Sequence, residues 1–341
     1  MNESMLGIIN ATNTFISLKE LTLQRSLGAL PFGGRYRLID FMLSNMVHSD
    51  IHSVAIFTGH ANRSLMDHLG SGKQWDLDRK RDGLFVFTPN CQCEAEEFGT
   101  FTHFARNIDY FLRSKQKYVV ITNCHIVATM NFKPILKRHI EVGAHITEVC
   151  QGGHSLQTYI LEKDLLVSLF EQYKHKGYYS IIDVVREKRQ SLHIHPYEYT
   201  GYVAIIDSIE GYYEHNLSML KREVWEQIFV PDAPIFTKVK DEAPTRYTKE
   251  AKVINSMIAN GSVIEGKVEN SMIFRSVKIG KNSIIRNCII MQKSQVGENC
   301  ILDGVILDKD VKIEDGTVLT GIPGVPYVVP KGTVQGALMN S

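Results

Sequence analysis

The stretch "NSMIFRSVKIGKNSIIRNCIIM" (Asn270–Met291) decides the fold of the C-terminal part of the chain. Its opening "NSMIF" returns as "NCIIM" at Asn287–Met291 and as "GVILD" at Gly304–Asp308, each time after seventeen residues. Roughly seventeen to eighteen residues make three hexapeptides, which is one triangular coil of a left-handed parallel β-helix with aliphatic residues inside and Gly, Asn or Asp at the corners. A β-sandwich would instead show strict alternation and two-residue turns. The recurrence therefore predicts a hexapeptide-repeat β-helix over residues 253–341.

The N-terminal part has a different texture, in which short apolar runs alternate with helical periodicity. Residues 38–49, 101–114 and 133–143 have the spacing of amphipathic helices, and the second of these places Phe101, Phe104, Ile108, Phe111 and Leu112 on one face. The strand-like runs are Leu6–Asn10, Ser53–Gly59, Leu84–Pro89, Tyr118–Asn123 and His145–Gln151. This alternation predicts a Rossmann-like, mainly parallel sheet with helices on both faces over residues 1–230, joined to the β-helix by a proline-containing linker at 231–252.

Composition excludes several classes of protein. The chain has 341 residues, of which 44% are hydrophobic and 22% charged, and its net charge is +1. This balance fits two globular domains, and we expect neither a nucleic-acid partner nor a membrane partner. The uncharged run Ser4–Leu18 is too short and too polar to span a bilayer, so we expect a cytoplasmic protein. The six cysteines have no zinc-site spacing and are expected to be reduced thiols, and no metal site is predicted.

A family resemblance rests on three stretches of the sequence. These are "PFGGRYRLIDFMLSN" (Pro31–Asn45), "TKVKDEAPTRY" (Thr237–Tyr247) and "ILDKDVKIEDGTVLTG" (Ile306–Gly321). The chain resembles the ADP-glucose pyrophosphorylase (glucose-1-phosphate adenylyltransferase) family of glycogen synthesis in these stretches, and the resemblance covers nearly its whole length. Within it, the chain is most similar to the shorter regulatory type of subunit, which pairs with a catalytic subunit in Gram-positive bacteria. The resemblance implies the same two-domain fold and a tetrameric assembly.

The resemblance also shows what has changed at the catalytic positions. Where catalytic members carry a glycine-rich phosphate loop ending in arginine, this chain has "TNTFIS", with Ser17 at the arginine position. The family's phosphate-binding lysine corresponds to Leu27, and its two metal-binding aspartates correspond to Cys124 and Ile205. Mg²⁺ requires hard oxygen ligands, which a thiol and a butyl group do not supply. The implied catalytic residues are therefore lost, and we expect little or no activity from this chain alone.

Three further features bear on catalysis. Asp207, two residues after Ile205, is a substitute metal ligand in principle, although a helix cap formed by Asp207 or Ser208 is the simpler reading. Cys124 and His125 are unsuited to act as a nucleophilic pair because adjacent strand residues point to opposite faces. Only "QGGHS" (Gln151–Ser155) connects two strands between which catalytic members insert tens of residues, and the sequence leaves open whether this short connection is natural or an omitted loop.

What remains is a cationic cluster around the Gly-Gly turn, formed by Arg25, Arg35 and Arg37. The resemblance implies that this region binds sugar-phosphate or phosphate effectors, while a purely structural alternative has Arg37 pairing with Asp40 and capping the next helix. We expect a regulatory subunit that requires no cofactor, with Mg²⁺ and ATP bound only at a catalytic partner. The open alternatives are an active adenylyltransferase with a rebuilt site, a homomeric sugar-phosphate sensor, and a hexapeptide acyltransferase, which the absence of histidine from Lys252 to Ser341 disfavours.

Overall fold

The computed structural model describes residues 4–89, 100–173, 180–187 and 191–336. The strands of the N-terminal part are β1 (Met5–Ala11), β2 (Pro31–Phe32), β3 (Tyr36–Arg37), β4 (Ser53–Thr58), β5 (Gly83–Phe87), β6 (Tyr118–Asn123), β7 (Ile126–Val127), β8 (Ile146–Gln151), β9 (His154–Glu162), β10 (Ile194–Glu198) and β11 (Ala204–Ile205). Its helices are α1 (Lys19–Thr22), α2 (Leu38–His48), α3 (Arg63–Leu69), α4 (Thr100–Arg106), α5 (Ile108–Arg113), α6 (Phe132–Val142), α7 (Lys163–Tyr173), α8 (Ile181–Glu187), α9 (Ile209–Ser218) and α10 (Arg222–Ile228).

The strands of the C-terminal part are short and numerous. They are β12 (Arg246–Tyr247), β13 (Lys252–Ile254), β14 (Met257–Ile258), β15 (Val263–Ile264), β16 (Lys267–Glu269), β17 (Met272–Ile273), β18 (Lys278–Ile279), β19 (Ile284–Arg286), β20 (Ile289–Ile290), β21 (Gln295–Val296), β22 (Ile301–Asp303), β23 (Val305–Leu307), β24 (Lys312–Ile313), β25 (Val318–Thr320), β26 (Tyr327–Val329) and β27 (Val334–Gln335). Single-turn 3-10 helices lie at Ile16–Leu18, Leu27–Ala29 and Lys73–Trp75.

The N-terminal part is built on a seven-stranded sheet in the order β10-β8-β9-β6-β1-β4-β5. Its paired strands are parallel except where β9 lies antiparallel to β6 and β8, so the sheet is mixed and mainly parallel, as predicted. Each of the five strand-like runs of the sequence overlaps a strand of this sheet. The apolar side chains of β1, β4, β6 and β8 are buried because helices cover both faces of a mainly parallel sheet, whereas Phe85 of the edge strand β5 is 39% exposed.

The predicted helix over residues 101–114 is interrupted, which corrects one expectation. Asn107 leaves helical geometry and its side-chain amide donates to the His103 carbonyl at 2.9 Å, so the segment forms α4 and α5 instead of one helix. Phe101, Phe104 and Phe111 are buried as the periodicity predicts. Leu112 is 62% exposed, so its placement on the buried face was wrong: the break changes the phase of the second helix.

The short connection Gln151–Ser155 is a complete structural element. Gln151 pairs with His154 across a two-residue hairpin turn, and Gly152 and Gly153 have φ of 57° and 79°. Positive φ at both central residues is the requirement of the type I′ turn, which matches the twist of the two strands it joins. The sheet therefore closes directly from β8 to β9, with no gap that an omitted segment must fill.

The C-terminal part is the predicted left-handed β-helix, built from three parallel sheets of six, five and five strands. Met272 pairs with Ile289 and Ile289 with Ile306, which reproduces the seventeen-residue period, whereas Met257 pairs with Met272 after fifteen residues. One corner is held by asparagines and a glycine in the left-handed region, at Asn255, Asn270, Asn287 and Gly304. The first paired strand, β12, lies inside the segment predicted as a linker, because Arg246 and Tyr247 pair with β15.

The two domains share one hydrophobic core. An outward-facing column of the β-helix, of which Met272, Ile289 and Ile306 are fully buried, packs into the same cluster as Leu30 and Phe32 of the N-terminal domain. Part of the linker is also packed, since Ile235 is buried and the Phe236 backbone donates to Ser44 Oγ at 2.9 Å. The relative position of the domains is therefore fixed by apolar burial.

The structure bears on the expectations about the cysteines and about membrane-spanning segments. Cys124, Cys150, Cys288 and Cys300 are free and buried, while Cys91 and Cys93 lie outside the described residues. Within the described part of the chain, every helix is too short or too polar to cross a membrane.

Candidate functional site

The loop after β1 lies at the carboxyl edge of the sheet, where open α/β folds bind their ligands. Its polar groups are occupied by one another. Asn10 Oδ1 accepts from the Thr12 backbone N–H at 3.1 Å and from Thr12 Oγ1 at 2.7 Å, and Asn10 Nδ2 donates to Asn13 Oδ1 at 3.1 Å. A glycine-rich phosphate loop leaves backbone donors free for its ligand. In this loop the Thr12 backbone N–H, the Thr12 hydroxyl and the Asn10 amide are instead bonded within the loop itself.

Phe15 and His125 fill the space in front of this loop. The phenyl ring of Phe15 meets the imidazole of His125 edge to face at a centroid distance of 5.1 Å, and Asn13 Nδ2 lies 3.3 Å from His125 Nδ1. Burial lowers the pKa of His125 to about 4, with Asp207 opposing the shift, so the ring is neutral at pH 7 and accepts from the Asn13 amide. A neutral imidazole provides no countercharge for a phosphate.

Cys124 and Leu27 belong to the core of the protein. Cys124 is fully buried beneath the turn before β2, where its Cβ and Sγ lie 3.5 Å from the position that a Cβ on Gly28 would occupy. Burial raises the pKa of the Cys124 thiol to about 12, so it is protonated and unsuited to act as a nucleophile or a metal ligand. Leu27 is 2% exposed and packs into the main cluster.

Ile205 and Asp207 close the other side of the same edge. Ile205 lies in β11, and Ser17 Oγ donates to the backbone carbonyl of Asp207. The cap of α9 is Ser208, whose Oγ accepts from the Gly211 N–H at 3.2 Å, so Asp207 is left exposed. Among the described residues no group of three His, Cys, Asp or Glu side chains has the geometry of a metal site. The residues present therefore do not fit the magnesium-nucleotide complex of the catalytic family members.

A second site lies between the two domains, and we call it the cationic cavity. It has a volume of about 480 Å³, and nine lysine and arginine side chains line it against three carboxylates, an excess of six positive charges. The cations are Arg35, Arg37, Arg63, Lys238, Lys240, Arg275, Lys293, Lys309 and Lys331, and the carboxylates are Asp67, Glu242 and Asp310. The whole chain has a net charge of only +1, so this is a strong local concentration of positive charge.

One corner of the β-helix forms a wall of the cationic cavity. Arg275, Gln292 and Lys309 occupy equivalent places in successive coils, seventeen residues apart, and all three line the cavity. The residue after each of them, Ser276, Lys293 or Asp310, has a φ between 58° and 64°. The repeat that builds the coils therefore also aligns these polar side chains in a column facing the turn between β2 and β3.

The cations of the cavity repel one another. The pKa of Arg37 is lowered to about 10, chiefly by burial, with Arg25 and Arg275 acting in the same direction and Asp40 opposing. Burial likewise lowers the pKa of Arg275, with Arg35 adding to the effect and Glu242 opposing it. Burial also lowers the pKa of Lys240, next to Arg275. An anion in the cavity would relieve this repulsion, so the arrangement favours binding of a multiply charged anion.

The three predicted effector residues are only partly brought together. Arg35 and Arg37 line the cavity, and the Arg37 guanidinium donates to the backbone carbonyl and Oγ of Ser64 at 2.6 and 3.0 Å. Arg25 lies behind the cavity wall, 3% exposed and ion-paired with Asp308 at 2.8 Å.

The structural alternative for Arg37 is half right. The cap of α2 uses the Arg37 backbone N–H, which donates to Asp40 Oδ2 at 2.9 Å, while the guanidinium does not pair with that carboxylate. The other carboxylate oxygen of Asp40, Oδ1, lies 2.6 Å from His68 Nε2.

Seven cations of the cavity were missed by sequence reasoning, because they come from α3, the linker and four coils of the β-helix. The signal that was present is the spacing of Arg275 and Lys309, which lie thirty-four residues, or two seventeen-residue repeats, apart. A larger groove of about 730 Å³ runs along an exposed face of the β-helix, but there four carboxylates face three cations, so it has no preference for anions.

Comparison with known proteins agrees with this architecture. The nucleotidyl transferase profile matches residues 17–157, and the profile of the GlmU-like C-terminal hexapeptide domain matches residues 239–322. The chain is similar to the glycogen biosynthesis protein GlgD of Bacillus subtilis (54% identity, 100% of this chain and 99% of the relative). It is also similar to GlgD of Geobacillus stearothermophilus (57% identity, 100% of both chains). The glucose-1-phosphate adenylyltransferase of Mycoplasma mobile is 31% identical over 84% of this chain and 86% of that protein.

The alignments also bear on whether the short β8–β9 connection is natural or the result of an omitted loop. The alignment with the Bacillus subtilis relative has 341 residues and covers essentially all of both proteins. It leaves no room for an additional element of tens of residues in either one. The two-residue turn is therefore a natural feature of this chain.

Proposed function

Since the chain belongs to the glucose-1-phosphate adenylyltransferase family, with GlgD proteins as high-identity relatives, we propose that it is a non-catalytic or nearly inactive regulatory subunit in glycogen biosynthesis. In this proposal it assembles in the cytoplasm with a catalytic subunit, as a tetramer, and modulates that subunit's synthesis of ADP-glucose from ATP and glucose 1-phosphate. Mg²⁺ and ATP bind at the catalytic partner, and the chain itself requires no cofactor.

The proposed loss of catalysis is supported mainly by the residues at the two positions that correspond to the family's metal-binding aspartates. A protonated thiol, Cys124, and an aliphatic side chain, Ile205, stand where hard oxygen ligands are required. Phe15 and the self-bonded loop after β1 remove the phosphate cradle as well. Losing one such group commonly costs a factor of about 10² to 10³ in rate, and several losses leave little activity even when they combine far from additively.

The regulatory part of the proposal rests on the cationic cavity. Its walls come from both domains, so an anion bound to Arg35 and Arg275 contacts the turn between β2 and β3 and the β-helix at once. Arg275 Nη2 also approaches the Arg35 carbonyl at 3.5 Å, which links the two walls directly. A phosphate effector that prefers one arrangement of these walls shifts the assembly between states, and this coupling is what allosteric control requires.

The experiment that tests this function is reconstitution with the catalytic subunit from the same cell. ADP-glucose synthesis is measured for each subunit alone and for the co-purified pair, with and without sugar phosphates and inorganic phosphate. We expect the pair to differ from the catalytic subunit alone in its response to the anions. The matched variants are Arg275→Gln, which removes a cavity cation, and Lys278→Gln, which removes a cation from the larger groove.

The two variants define the outcomes. Arg275→Gln should reduce the anion response of the pair while Lys278→Gln leaves it unchanged. If the two subunits do not associate, or if the pair responds to anions as the catalytic subunit does alone, the proposed function is wrong.

A further inference from the structure

Lys309 is a cavity lysine with an unusual set of neighbours. It follows Asp308 at the corner after β23, is partly buried, and lines the cationic cavity. The charged groups that act on it are Arg37, Arg25 and Lys331 on one side and Asp308 on the other.

The nearby carboxylate is already engaged. Asp308 Oδ2 accepts from Arg25 Nη2 at 2.8 Å, and Asp308 Oδ1 accepts from the backbone N–H of Lys309 at 2.7 Å. Among the described residues, no carboxylate lies within ion-pair distance of the Lys309 ammonium group. The side chain is therefore held among cations without a partner of opposite charge.

This environment makes the amine a nucleophile at neutral pH. Burial, reinforced by Arg37 and Arg25 and opposed by Asp308, lowers the pKa of Lys309 to about 7. A much larger fraction of the side chains is then neutral at pH 7 than for an ordinary lysine, whose pKa of about 10.4 leaves it almost entirely protonated. Desolvation next to other cations is a known way to activate a lysine for attack on a carbonyl group.

We propose that Lys309 is a site of acylation by acyl phosphates, which the cationic cavity binds through their phosphate group. The inference rests on the proposed phosphate binding of the same cavity and adds a covalent step to it. The Nζ lone pair attacks the carbonyl carbon, and the bond between that carbon and the phosphate oxygen breaks. Inorganic phosphate leaves with the bonding electron pair, and the proton lost from Nζ passes to water. The product is an Nζ-acyl-lysine, and no oxidant or reductant is consumed.

The cavity favours both stages of this reaction. Arg37 and Lys331 are placed to stabilise the departing phosphate, whose negative charge grows as the bond breaks. The amide that forms carries no charge, so the cavity loses one of its cations. Acylation should therefore weaken phosphate binding and act as a second, slower level of control on the same site.

The experiment exposes the full-length purified chain to acetyl phosphate and follows each lysine by quantitative peptide mass spectrometry at several pH values. Lys249 and Lys281, both exposed and outside the cavity, serve as internal references in the same digest. We expect Lys309 to be acetylated at least about tenfold faster than either reference at pH 7. Its rate should level off above about pH 7.5 while the rates of the references continue to rise.

Two further measurements separate this inference from the proposed function. Inorganic phosphate binding is measured by calorimetry for the natural chain and for Lys309→Arg, which keeps the cation and removes the nucleophile. We expect both proteins to bind phosphate, and phosphate to slow acetylation of Lys309 but not of Lys249. Phosphate binding without preferential acetylation of Lys309 overturns the acylation proposal alone. Absence of phosphate binding overturns the proposed anion site, and with it the delivery of acyl phosphates to Lys309.

Discussion

Arg25 and Asp308 join the two domains through a buried ion pair, with Arg25 Nη2 2.8 Å from Asp308 Oδ2 and both side chains at most 3% exposed. Arg25 belongs to the segment before β2, and Asp308 follows β23 of the β-helix. The pair affects both the shared core and the environment of Lys309. It reinforces the shared core beside Met291, and it withholds Asp308 from Lys309, which leaves that lysine among cations.

Breaking this ion pair should be costly, because the remaining partner stays buried without compensation. We expect Arg25→Met or Asp308→Asn to lower the free energy of unfolding by about 3 to 5 kcal/mol, and Arg25→Met combined with Asp308→Leu to recover much of the loss. Urea denaturation measures all three. The control is Arg222→Ala, which breaks an exposed pair with Glu226 and should have a much smaller effect, because solvent screens exposed charges. Equal effects of the buried and exposed variants would contradict the structural role of the pair.

Phosphate binding should depend on the cavity cations and not on lysines elsewhere. We expect Arg35→Gln to weaken the binding of inorganic phosphate by about tenfold, which corresponds to about 1.4 kcal/mol. Lys312→Gln, in the larger groove, should leave the affinity unchanged. Calorimetry at low and high salt checks both, and affinity should fall as salt rises because exposed charges are screened. An unchanged affinity in Arg35→Gln would show that the anion binds elsewhere.

Acid should destabilise the chain through two buried histidines. Burial lowers the pKa of His125 and of His139 to about 4. In the unfolded chain these two imidazole rings protonate near pH 6.5, so the unfolded chain binds more protons than the folded chain between pH 6.5 and pH 4. The contribution of the two neutral rings to the free energy of unfolding is therefore fully present above pH 6.5. It falls as the pH drops towards 4, by about 3 kcal/mol or less for each ring.

The variant that tests this pH dependence is His125→Gln, compared with His154→Gln in the exposed hairpin turn. Free energies of unfolding are measured from pH 4 to pH 7. The first variant should lose the part of the pH dependence that His125 contributes and keep the part from His139, and the second should reproduce that of the natural chain. A natural chain whose stability does not change between pH 6.5 and pH 4 would contradict the assignment of neutral buried rings.

The β8–β9 turn should tolerate only residues that accept positive φ. Replacing both Gly152 and Gly153 by alanine should lower the free energy of unfolding by about 2 kcal/mol or more, because each alanine is forced into the left-handed region. Gly152→Asn should be nearly neutral, since Asn-Gly is a preferred type I′ pair. Urea denaturation of the two variants distinguishes them. Equal stability would mean that the turn adopts a different conformation in solution.

The sequence predicts the elements of this fold more fully than the site. Strands such as β6 and the seventeen-residue coils are encoded by local apolar periodicity, which requires no knowledge of distant partners. The break at Asn107 was missed because a side-chain bond to the His103 carbonyl overrides the helical pattern. The stretch "NSMIA" (Asn255–Ala259) precedes the repeat at Asn270 by fifteen residues instead of seventeen, and the structure shows the same step as the pairing of Met257 with Met272.

The site was predicted only where its residues are close in sequence. Arg35 and Arg37 flank the Gly-Gly turn and could be found by inspection, but their charge is joined by Arg63, Arg275 and other cations from distant segments. The burial of Arg25 depends on Asp308, 283 residues later, which no local pattern reveals. The assignment of Cys124 and Ile205 to the family's metal-binding positions came from the family resemblance, because no local pattern of this chain marks them.

Pyrophosphate release is the direct test of the proposed loss of catalysis. The purified chain is incubated with ATP, glucose 1-phosphate and Mg²⁺, beside the glucose-1-phosphate adenylyltransferase of Mycoplasma mobile as a positive control. We expect a rate of pyrophosphate release at least about a thousandfold below that of the control. A rate within about tenfold of the control, abolished by Asp207→Asn but not by His154→Gln, would contradict it and identify a rebuilt catalytic site.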